Sequence, residues 1–175
     1  MAMSALPPDI GATGLMSVTP EAVEVIIIRS DGAARGNPGP AGVGVVISGS
    51  TGDILEEAAE YIGETTNNVA EYKGILLGLR LAARYRPKTI KAYLDSELVV
   101  NQLNGVYKVK NATLKDLHAD ARSLISKYDR VYIGHVPRAQ NAAADKLANR
   151  AIDDFEAGGE DVVAATDIPG QGSLF

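Results

Sequence analysis

The sequence has no cysteine, no tryptophan, only two histidines and no long apolar run. Without cysteine the chain forms neither a disulfide framework nor a thiolate metal site, and two histidines leave little room for a zinc site. No segment approaches the roughly 18 apolar residues of a membrane-spanning helix, and the N-terminus lacks the pattern of a signal peptide. We therefore expect no membrane partner, a cytoplasmic location by default, and a monomer.

The 175 residues have ordinary apolar (46%) and charged (22%) fractions, which favours one soluble globular domain. The net charge of −5, taken alone, argues against a nucleic-acid partner. However, residues 72–115 hold nine Lys and Arg against only Asp95 and Glu97, a local charge of +7 that leaves −12 elsewhere. Two interpretations remain open: a basic face hidden in an acidic average, or an ordinary solvated helix face.

Composition divides the chain into three parts. Residues 1–21 resemble a flexible leader, residues 22–153 a compact domain, and residues 154–175 an acidic flexible tail. Within the domain, β-branched runs and helical periodicity predict the order βββ-α-β-α-α-β-α. The predicted strands are 23–30, 41–48, 54–62, 89–94 and 131–134, and the later helices are 96–103, 114–128 and 142–153. This order predicts a mixed sheet with helices packed on it.

Four acidic residues stand at the ends of predicted elements. Asp31 and Asp95 directly follow strands, whereas Glu71 and Asp145 lie in the first turns of helices, on stripes that are otherwise apolar. Clustered carboxylates repel one another unless a cation joins them, and oxygen ligands without His or Cys suit Mg²⁺ or Mn²⁺. Two such ions about 4 Å apart can drive phosphodiester hydrolysis. The four acids therefore indicate a metal-dependent site.

Each acid, taken singly, also has a structural explanation. Glu71 fits the acid of a capping box that begins at Asn68, and Asp31 fits the start of a turn. Asp95 fits a helix N-cap, and Asp145 fits an acid that compensates a helix dipole. The functional interpretation depends on all four together.

The segments around these acids resemble the motifs of type 1 ribonuclease H. Residues 31–40 (DGAARGNPGP), 65–71 (TTNNVAE), 94–96 (LDS) and 141–148 (NAAADKLA) match its four motifs in order, within residues 24–152. The resemblance implies an α/β ribonuclease H-like fold in its short form. That fold has a five-stranded mixed sheet, three antiparallel strands then two parallel, flanked by helices.

The resemblance also implies the reaction. Asp31, Glu71, Asp95 and Asp145 would be the catalytic metal ligands, with Asp31 shared by two Mg²⁺ ions for which Mn²⁺ could substitute. The substrate would be an RNA–DNA hybrid, whose RNA strand is hydrolysed to leave 5′-phosphate and 3′-hydroxyl ends. Two alternatives stay open: another nuclease of the same superfamily that acts on a different nucleic acid, and a non-catalytic module of this fold that binds hybrid or RNA. The second is disfavoured because a pure binder has no use for four carboxylates.

One further catalytic position is open to two residues. His135, in the predicted loop after the last strand, stands at the place of a mobile histidine that assists proton transfer or product release in the family. In another branch of the family an arginine serves there instead, and Arg138 fits that branch. We favour His135, with a structural role at the strand end as the alternative to any function.

The resemblance assigns nine positions to substrate binding. A hybrid exposes 2′-hydroxyls on one strand only, in a wide and shallow groove that short polar groups can read. Phosphate contacts carry no sequence information, so cleavage should be largely independent of sequence. The positions are Gly32, Ala33, Ala34, Asn37, Thr66, Asn67, Asn68, Ser96 and Arg138.

The chain departs from longer family members between its second and third predicted helices. It lacks their basic, tryptophan-bearing protrusion and has only a short segment with Tyr107, Lys108 and Lys110. These three residues form either a reduced DNA handle or an ordinary linker. We expect weaker or more salt-sensitive hybrid binding than in members with the protrusion.

The chain ends in a short segment similar to the peptide by which bacterial proteins bind the sliding clamp. Gln171, Leu174 and Phe175 match that peptide, but Gly172 replaces its usual leucine. A tether ending in two apolar residues is suited to fill a partner's pocket. The alternative is a chance match.

Overall fold

The computed structural model describes residues 22–158, and five strands form one sheet within that part of the chain. The strands are β1 (Val25–Ala34), β2 (Gly39–Gly49), β3 (Ile54–Thr65), β4 (Thr89–Leu94) and β5 (Arg130–His135). Their spatial order is β3-β2-β1-β4-β5. Strand β2 is antiparallel to β1 and β3, whereas β4 is parallel to β1 and β5. The predicted mixed sheet is confirmed.

Within residues 22–158, four helices pack on the two faces of this sheet. They are α1 (Asn67–Ala82), α2 (Glu97–Leu103), α3 (Ala112–Ile125) and α4 (Ala142–Glu156), with 3-10 turns at Ala83–Tyr85 and Arg138–Asn141. Gly78 of α1 lies against Val45 of β2, whereas the next strand residue, Gly44, lies against Ala144 of α4. Because successive strand residues face opposite sides, α1 and α4 lie on opposite faces.

The main core lies between the sheet and α1. Ile26 and Ile28 of β1, Ile90 of β4 and Tyr72 of α1 are completely buried there, and α2 and α3 close its outer side. A smaller apolar cluster, centred on Val46, lies under α4. None of the helices in the described part of the chain is long and apolar enough to cross a membrane.

Three predicted boundaries were wrong in ways that affect the site. Strand β1 continues to Ala34, so Asp31 lies inside the strand and not after it. Strand β5 includes His135, which we had placed in the following loop. Helix α4 continues to Glu156, three residues beyond the predicted end of the domain. The division at residue 153 stays a prediction, and residues 1–21 lie outside the described residues.

The predicted cap of α1 was also wrong. Thr66, not Asn68, is the N-cap, and its hydroxyl accepts a hydrogen bond from the Val69 N–H at 3.3 Å. Glu71 is therefore the fifth residue of the helix, too far along to serve as a capping-box acid. Threonine and asparagine are both good caps, so the sequence alone could not decide between them.

Candidate active site

Three of the four predicted acids converge at one end of the sheet. Asp31 comes from β1, Glu71 from α1 and Asp95 from the turn after β4, and their carboxylate oxygens lie within 4.8 Å of one another. Strands β1 and β4 are parallel neighbours in which Arg29 pairs with Tyr93. Continuing this register by two residues brings Asp31 beside Asp95.

Glu71 joins these two acids because α1 passes unusually close to β1. A Cβ atom on Gly32 would lie 2.1 Å from the carbonyl carbon of Ala70 and 2.4 Å from the backbone nitrogen of Glu71. Any side chain at position 32 would therefore push the helix away from the strand. Glycine at this position allows Glu71 to approach Asp31.

Burial and mutual repulsion govern the charge of this cluster. Burial raises the pKa of Asp31 from 3.8 to about 7; its hydrogen bond with Glu71 lowers that pKa, and the charge of Asp95 raises it. Burial is also the largest of the effects that raise the pKa of Glu71 well above its usual value. The charge of Asp31 and the hydrogen bond with Asp31 raise that pKa further. Without a cation, burial and mutual repulsion therefore disfavour the ionised forms of both Asp31 and Glu71.

The donor set fits a hard divalent cation. Three carboxylates provide only oxygen ligands, and Glu71 Oε2 is buried without a hydrogen-bond partner among the described residues. A cation would relieve the repulsion and satisfy that oxygen. The cluster is therefore consistent with divalent metal binding.

Asp145 lies beside this triad but not within it. It occupies the first turn of α4, as predicted, and contributes to the elevated pKa of Asp31. Asn149 donates a hydrogen bond to Asp145 Oδ1 at 3.2 Å, and Arg138 lies 3.6 Å from the same oxygen. The structure thus brings together three of the four acids and holds the fourth at the edge of the cluster with polar partners.

The predicted substrate residues separate into two groups. A cleft of about 550 Å³ contains the acids and is lined by seven of the nine positions. They are Gly32, Ala33, Ala34, Asn67, Asn68, Ser96 and Arg138. Asn37 and Thr66 do not line this cleft.

Asn37 and Thr66 instead hold the cleft wall in place. Asn37 Oδ1 accepts a hydrogen bond from the Asn67 N–H at 3.1 Å, and Asn67 Oδ1 accepts one from the Ala34 N–H at 3.0 Å. These bonds join the β1–β2 loop to the start of α1, which Thr66 caps. The two asparagines therefore position the backbone around the acids.

The structural alternative for Asp95 was wrong, because Ser96 caps the next helix. Ser96 Oγ accepts a hydrogen bond from the Val99 N–H at 3.3 Å, so the Asp95 side chain is left to the acidic cluster. His135 is exposed at the end of β5 and does not line the cleft. Arg138 is exposed as well but does line it.

Sequence reasoning missed two asparagines that support the site. Asn141 is buried and donates a hydrogen bond to the Ser30 carbonyl at 2.8 Å, which ties the start of α4 to β1 next to Asp31. Asn149 lines the cleft and binds Asp145. For Asn141, the available signal was its position immediately before a predicted helix, on the side of that helix expected to be buried. Nothing in the sequence distinguished Asn149.

The predicted DNA handle lies in the loop between α2 and α3. Tyr107, Lys108 and Lys110 are all exposed, with 46% of Tyr107 accessible. The Lys108 carbonyl accepts a hydrogen bond from Gln102 Nε2 at 3.5 Å, and Val109 packs on the main core. The loop is therefore anchored with its cations directed away from the core, while residues 171–175 of the clamp-like tail lie outside the described residues.

A mixed five-stranded sheet that holds a partly buried carboxylate cluster between β1, α1 and the turn after β4 is consistent with the class of metal-assisted phosphodiester hydrolases. A family model described as reverse transcriptase-like matches residues 29–151. Ribonuclease H of Lachnoclostridium phytofermentans is 33% identical over 157 residues, covering 79% of this chain and 98% of that protein. The chain belongs to the ribonuclease H family.

Two further relatives extend this comparison. The bifunctional protein Rv2228c of Mycobacterium tuberculosis is 43% identical over 129 residues, which cover 73% of this chain. The match spans only 35% of that longer protein. The solved structure of LC11-RNase H1 in complex with an RNA/DNA hybrid is 46% identical, with a TM-score of 0.72, and covers 75% of this chain and 99% of that one.

Proposed function

We propose that this chain is a ribonuclease H that hydrolyses the RNA strand of RNA–DNA hybrids endonucleolytically and largely without sequence preference. The observation that carries the proposal is the convergence of Asp31, Glu71 and Asp95 in one cleft. The relative solved with a hybrid, at 46% identity, supports the substrate. The products would carry 5′-phosphate and 3′-hydroxyl ends.

The acidic cluster would hold two Mg²⁺ ions when substrate is bound, with Mn²⁺ able to substitute. Asp31, Glu71 and Asp95 would be the ligands, and Asp145 would join them from the edge of the cluster. Such ions supply an activated water and stabilise the leaving oxygen. Asp31 is central to the set, because its pKa responds to all three of the other acids.

The protein's own groups would select and orient the hybrid. The Gly32–Ala34 backbone lines the cleft next to Asp31, and Asn67 and Asn68 at the start of α1 also line it. These short polar groups are suited to contact 2′-hydroxyls in a shallow groove and so to recognise the RNA strand. Because Asn67 also accepts a hydrogen bond from the Ala34 N–H, it would fix the spacing between the end of β1 and the start of α1.

The test is cleavage of a labelled RNA–DNA hybrid in Mg²⁺ or Mn²⁺ by the wild type and by Asp95→Asn. Asp116→Asn, an exposed acid on α3, is the matched control, and duplex RNA and duplex DNA are the control substrates. We expect hybrid-only cleavage that falls by about 100-fold or more in Asp95→Asn and is unchanged in Asp116→Asn. Tight hybrid binding without any cleavage would indicate a binding module instead.

We also propose that residues 171–175 bind the bacterial sliding clamp, with the chain itself a monomer. The support is the similarity of Gln171, Leu174 and Phe175 to the clamp-binding peptide. A pull-down with purified clamp should lose the interaction when residues 171–175 are deleted. Retention of the deleted protein, or no capture of the full chain, would contradict the proposal.

A further inference from the structure

Within residues 22–158, one part of the sheet has no helix over it. Helix α4 packs on β2, β3 and part of β1, while α1, α2 and α3 lie on the opposite face. On the α4 side of β4 and β5, no helix of the described residues covers the strands. Ile90, Ala92 and Leu94 are buried on the α1 side, so Lys91 and Tyr93 between them face the open side.

The uncovered face combines cations with tyrosines. Its cations are Arg29, Lys91 and Arg130, none of which forms an ion pair with a described carboxylate. Its tyrosines are Tyr93 and Tyr132, and 59% of Tyr132 is accessible. We call these five residues the open face.

The strand register interleaves these side chains. Arg29 pairs with Tyr93, and Lys91 pairs with Tyr132 on the outer strand. The Arg29 guanidinium carbon lies 5.5 Å from the centre of the Tyr93 ring, within the range of a cation–π contact. A cation thus stands beside each aromatic ring.

Gly134 shapes the platform. It pairs with Tyr93 across β4 and β5, and a Cβ atom on it would lie 3.2 Å from two ring carbons of Tyr93. The Tyr93 ring therefore leans over a strand position that has no side chain. Beside Gly134, two residues earlier in β5, Tyr132 projects from the same face.

The open face is continuous with the candidate active site. Arg29 precedes Asp31 by two residues on the same side of β1, and Tyr93 precedes Asp95 by two residues. Two residues of a strand span about 6.7 Å. A polynucleotide that leaves the acidic cluster along these strands would meet the cations and tyrosines within about one nucleotide.

We propose that the open face binds a single-stranded extension of the nucleic acid that is held at the acidic cluster. Exposed aromatic rings stack on bases that are not already stacked in a duplex, and neighbouring cations neutralise the phosphates. The face has charge opposite to that of the ligand and lies next to the candidate active site. The proposal rests on the proposed function for its position but is tested by binding rather than by cleavage.

The test compares the affinity of the full chain for a blunt hybrid and for the same hybrid with a single-stranded extension on either strand. Fluorescence anisotropy without divalent metal avoids cleavage. We expect an extension on one strand to tighten binding about 5-fold or more, since stacking on one aromatic residue is worth about that much. Tyr132→Val should abolish this gain, and Tyr132→Phe, which keeps the ring, should retain it.

A second pair of variants removes charge instead of stacking. We plot the logarithm of the affinity for the extended hybrid against the logarithm of the salt concentration. In the double variant Lys91→Gln/Arg130→Gln, the slope of this plot should fall in magnitude by about 2, because each lost phosphate contact releases about one ion fewer. Lys127→Gln, an exposed lysine after α3, is the matched control for a single lost charge outside the open face. Thermal unfolding of each variant verifies that it is folded.

Three results would overturn the proposal. They are equal affinities for blunt and extended hybrids in the wild type, full retention of the gain in Tyr132→Val, and a gain that appears only after residues 159–175 are deleted. The last would mean that this acidic segment occupies the face. Failure of the proposed function is distinguishable, because it would abolish cleavage of blunt hybrid while leaving the extension-dependent gain intact.

Discussion

Asp31 imposes an electrostatic cost on the metal-free protein. Its pKa is about 7 in the folded state against 3.8 for the exposed group, chiefly because it is buried. The folded state therefore binds the proton more tightly than the unfolded state, and stability falls as the pH rises from about 4 to about 7. A cation bound to the carboxylates would restore that stability.

Asp31→Asn should therefore stabilise the metal-free protein at neutral pH. We expect a gain on the order of 2 kcal/mol in the free energy of unfolding at pH 8, which shrinks towards pH 4. The measurement is denaturant unfolding in a chelator across that pH range. Adding Mg²⁺ should stabilise the wild type but not the variant.

Asp116→Asn, on the exposed side of α3, is the control and should leave both responses unchanged. A wild type whose stability is flat between pH 4 and 8 would contradict the burial argument. Equal Mg²⁺ stabilisation of wild type and Asp31→Asn would show that the ion does not need this carboxylate.

The choice between His135 and Arg138 also belongs to single side chains. Arg138 lines the cleft and lies 3.6 Å from Asp145, whereas His135 is exposed at the end of β5 outside the cleft. The geometry thus favours Arg138, the alternative in the sequence interpretation. We expect Arg138→Gln to lower kcat about 10-fold, less than the 100-fold or more typical of a rigidly positioned acid or base.

Single-turnover cleavage at several pH values is the measurement, with His135→Gln in parallel. His135→Gln should change kcat by less than about threefold and leave the pH profile unaltered. A larger loss in His135→Gln, with a shifted pH profile, would return the role to the histidine.

At the level of elements, sequence patterns predicted which segments form strands and helices better than where those segments end. Residues 89–94 were predicted correctly because β4 is a short alternating run closed by Asp95. Strand β1 was predicted too short, since its last residues pair with β2 through a register that no local pattern shows. The turn at Arg138–Asn141 was missed because it depends on Asn141 binding the β1 backbone.

Arg35 joins two elements that the sequence does not connect. It extends from the β1–β2 loop to the end of α4, where it lies 2.6 Å from Asp153 and 2.7 Å from Glu156. The same end of α4 is held to β3 by the stacked rings of Phe155 and Tyr61. Arg35 thus fixes the loop that carries Asn37, and so acts as a positioning residue.

Arg35→Gln should weaken hybrid binding more than it weakens the fold. Exposed ion pairs contribute at most about 1 kcal/mol to stability, so the melting temperature should fall by only a few degrees. Loosening of the loop should raise KM for the hybrid about 3- to 10-fold, with a smaller change in kcat. Steady-state cleavage and thermal unfolding separate the two effects.

Lys88→Gln is the matched control, because Lys88 also forms an exposed ion pair, with Glu24, at the other end of β1. It should leave KM unchanged. The pair of changes Asp153→Asn and Glu156→Gln should reproduce the effect of Arg35→Gln. An unchanged KM in Arg35→Gln and in the double variant Asp153→Asn/Glu156→Gln would mean that the loop keeps its position without the ion pairs.

For the molecule as a whole, local patterns predicted a mixed sheet with three antiparallel strands, and the family resemblance supplied the two parallel strands. Neither predicted the distances in the site. All four acids were assigned to one site, yet only three have oxygens within 4.8 Å of one another. Asp145 instead has Asn149 and Arg138 as polar partners, contacts that no local sequence pattern shows.

Charge distribution over the whole chain leads to the last prediction. The net charge is −5, yet the loop between α2 and α3 exposes Tyr107, Lys108 and Lys110. If this loop contacts the DNA strand, the double variant Lys108→Gln/Lys110→Gln should lower the salt slope of hybrid affinity by about 2, since each lost phosphate contact removes about one ion. Lys127→Gln, beyond the far end of α3, should not change it.

The measurement is hybrid affinity against salt concentration at fixed pH, with a blunt hybrid so that the open face is not engaged. Weaker binding at every salt concentration with an unaltered slope would show that the two lysines act through loop structure and not through phosphate contacts. A wild-type affinity without any salt dependence would contradict a basic interface anywhere on the chain, because neutralising phosphates always releases counterions.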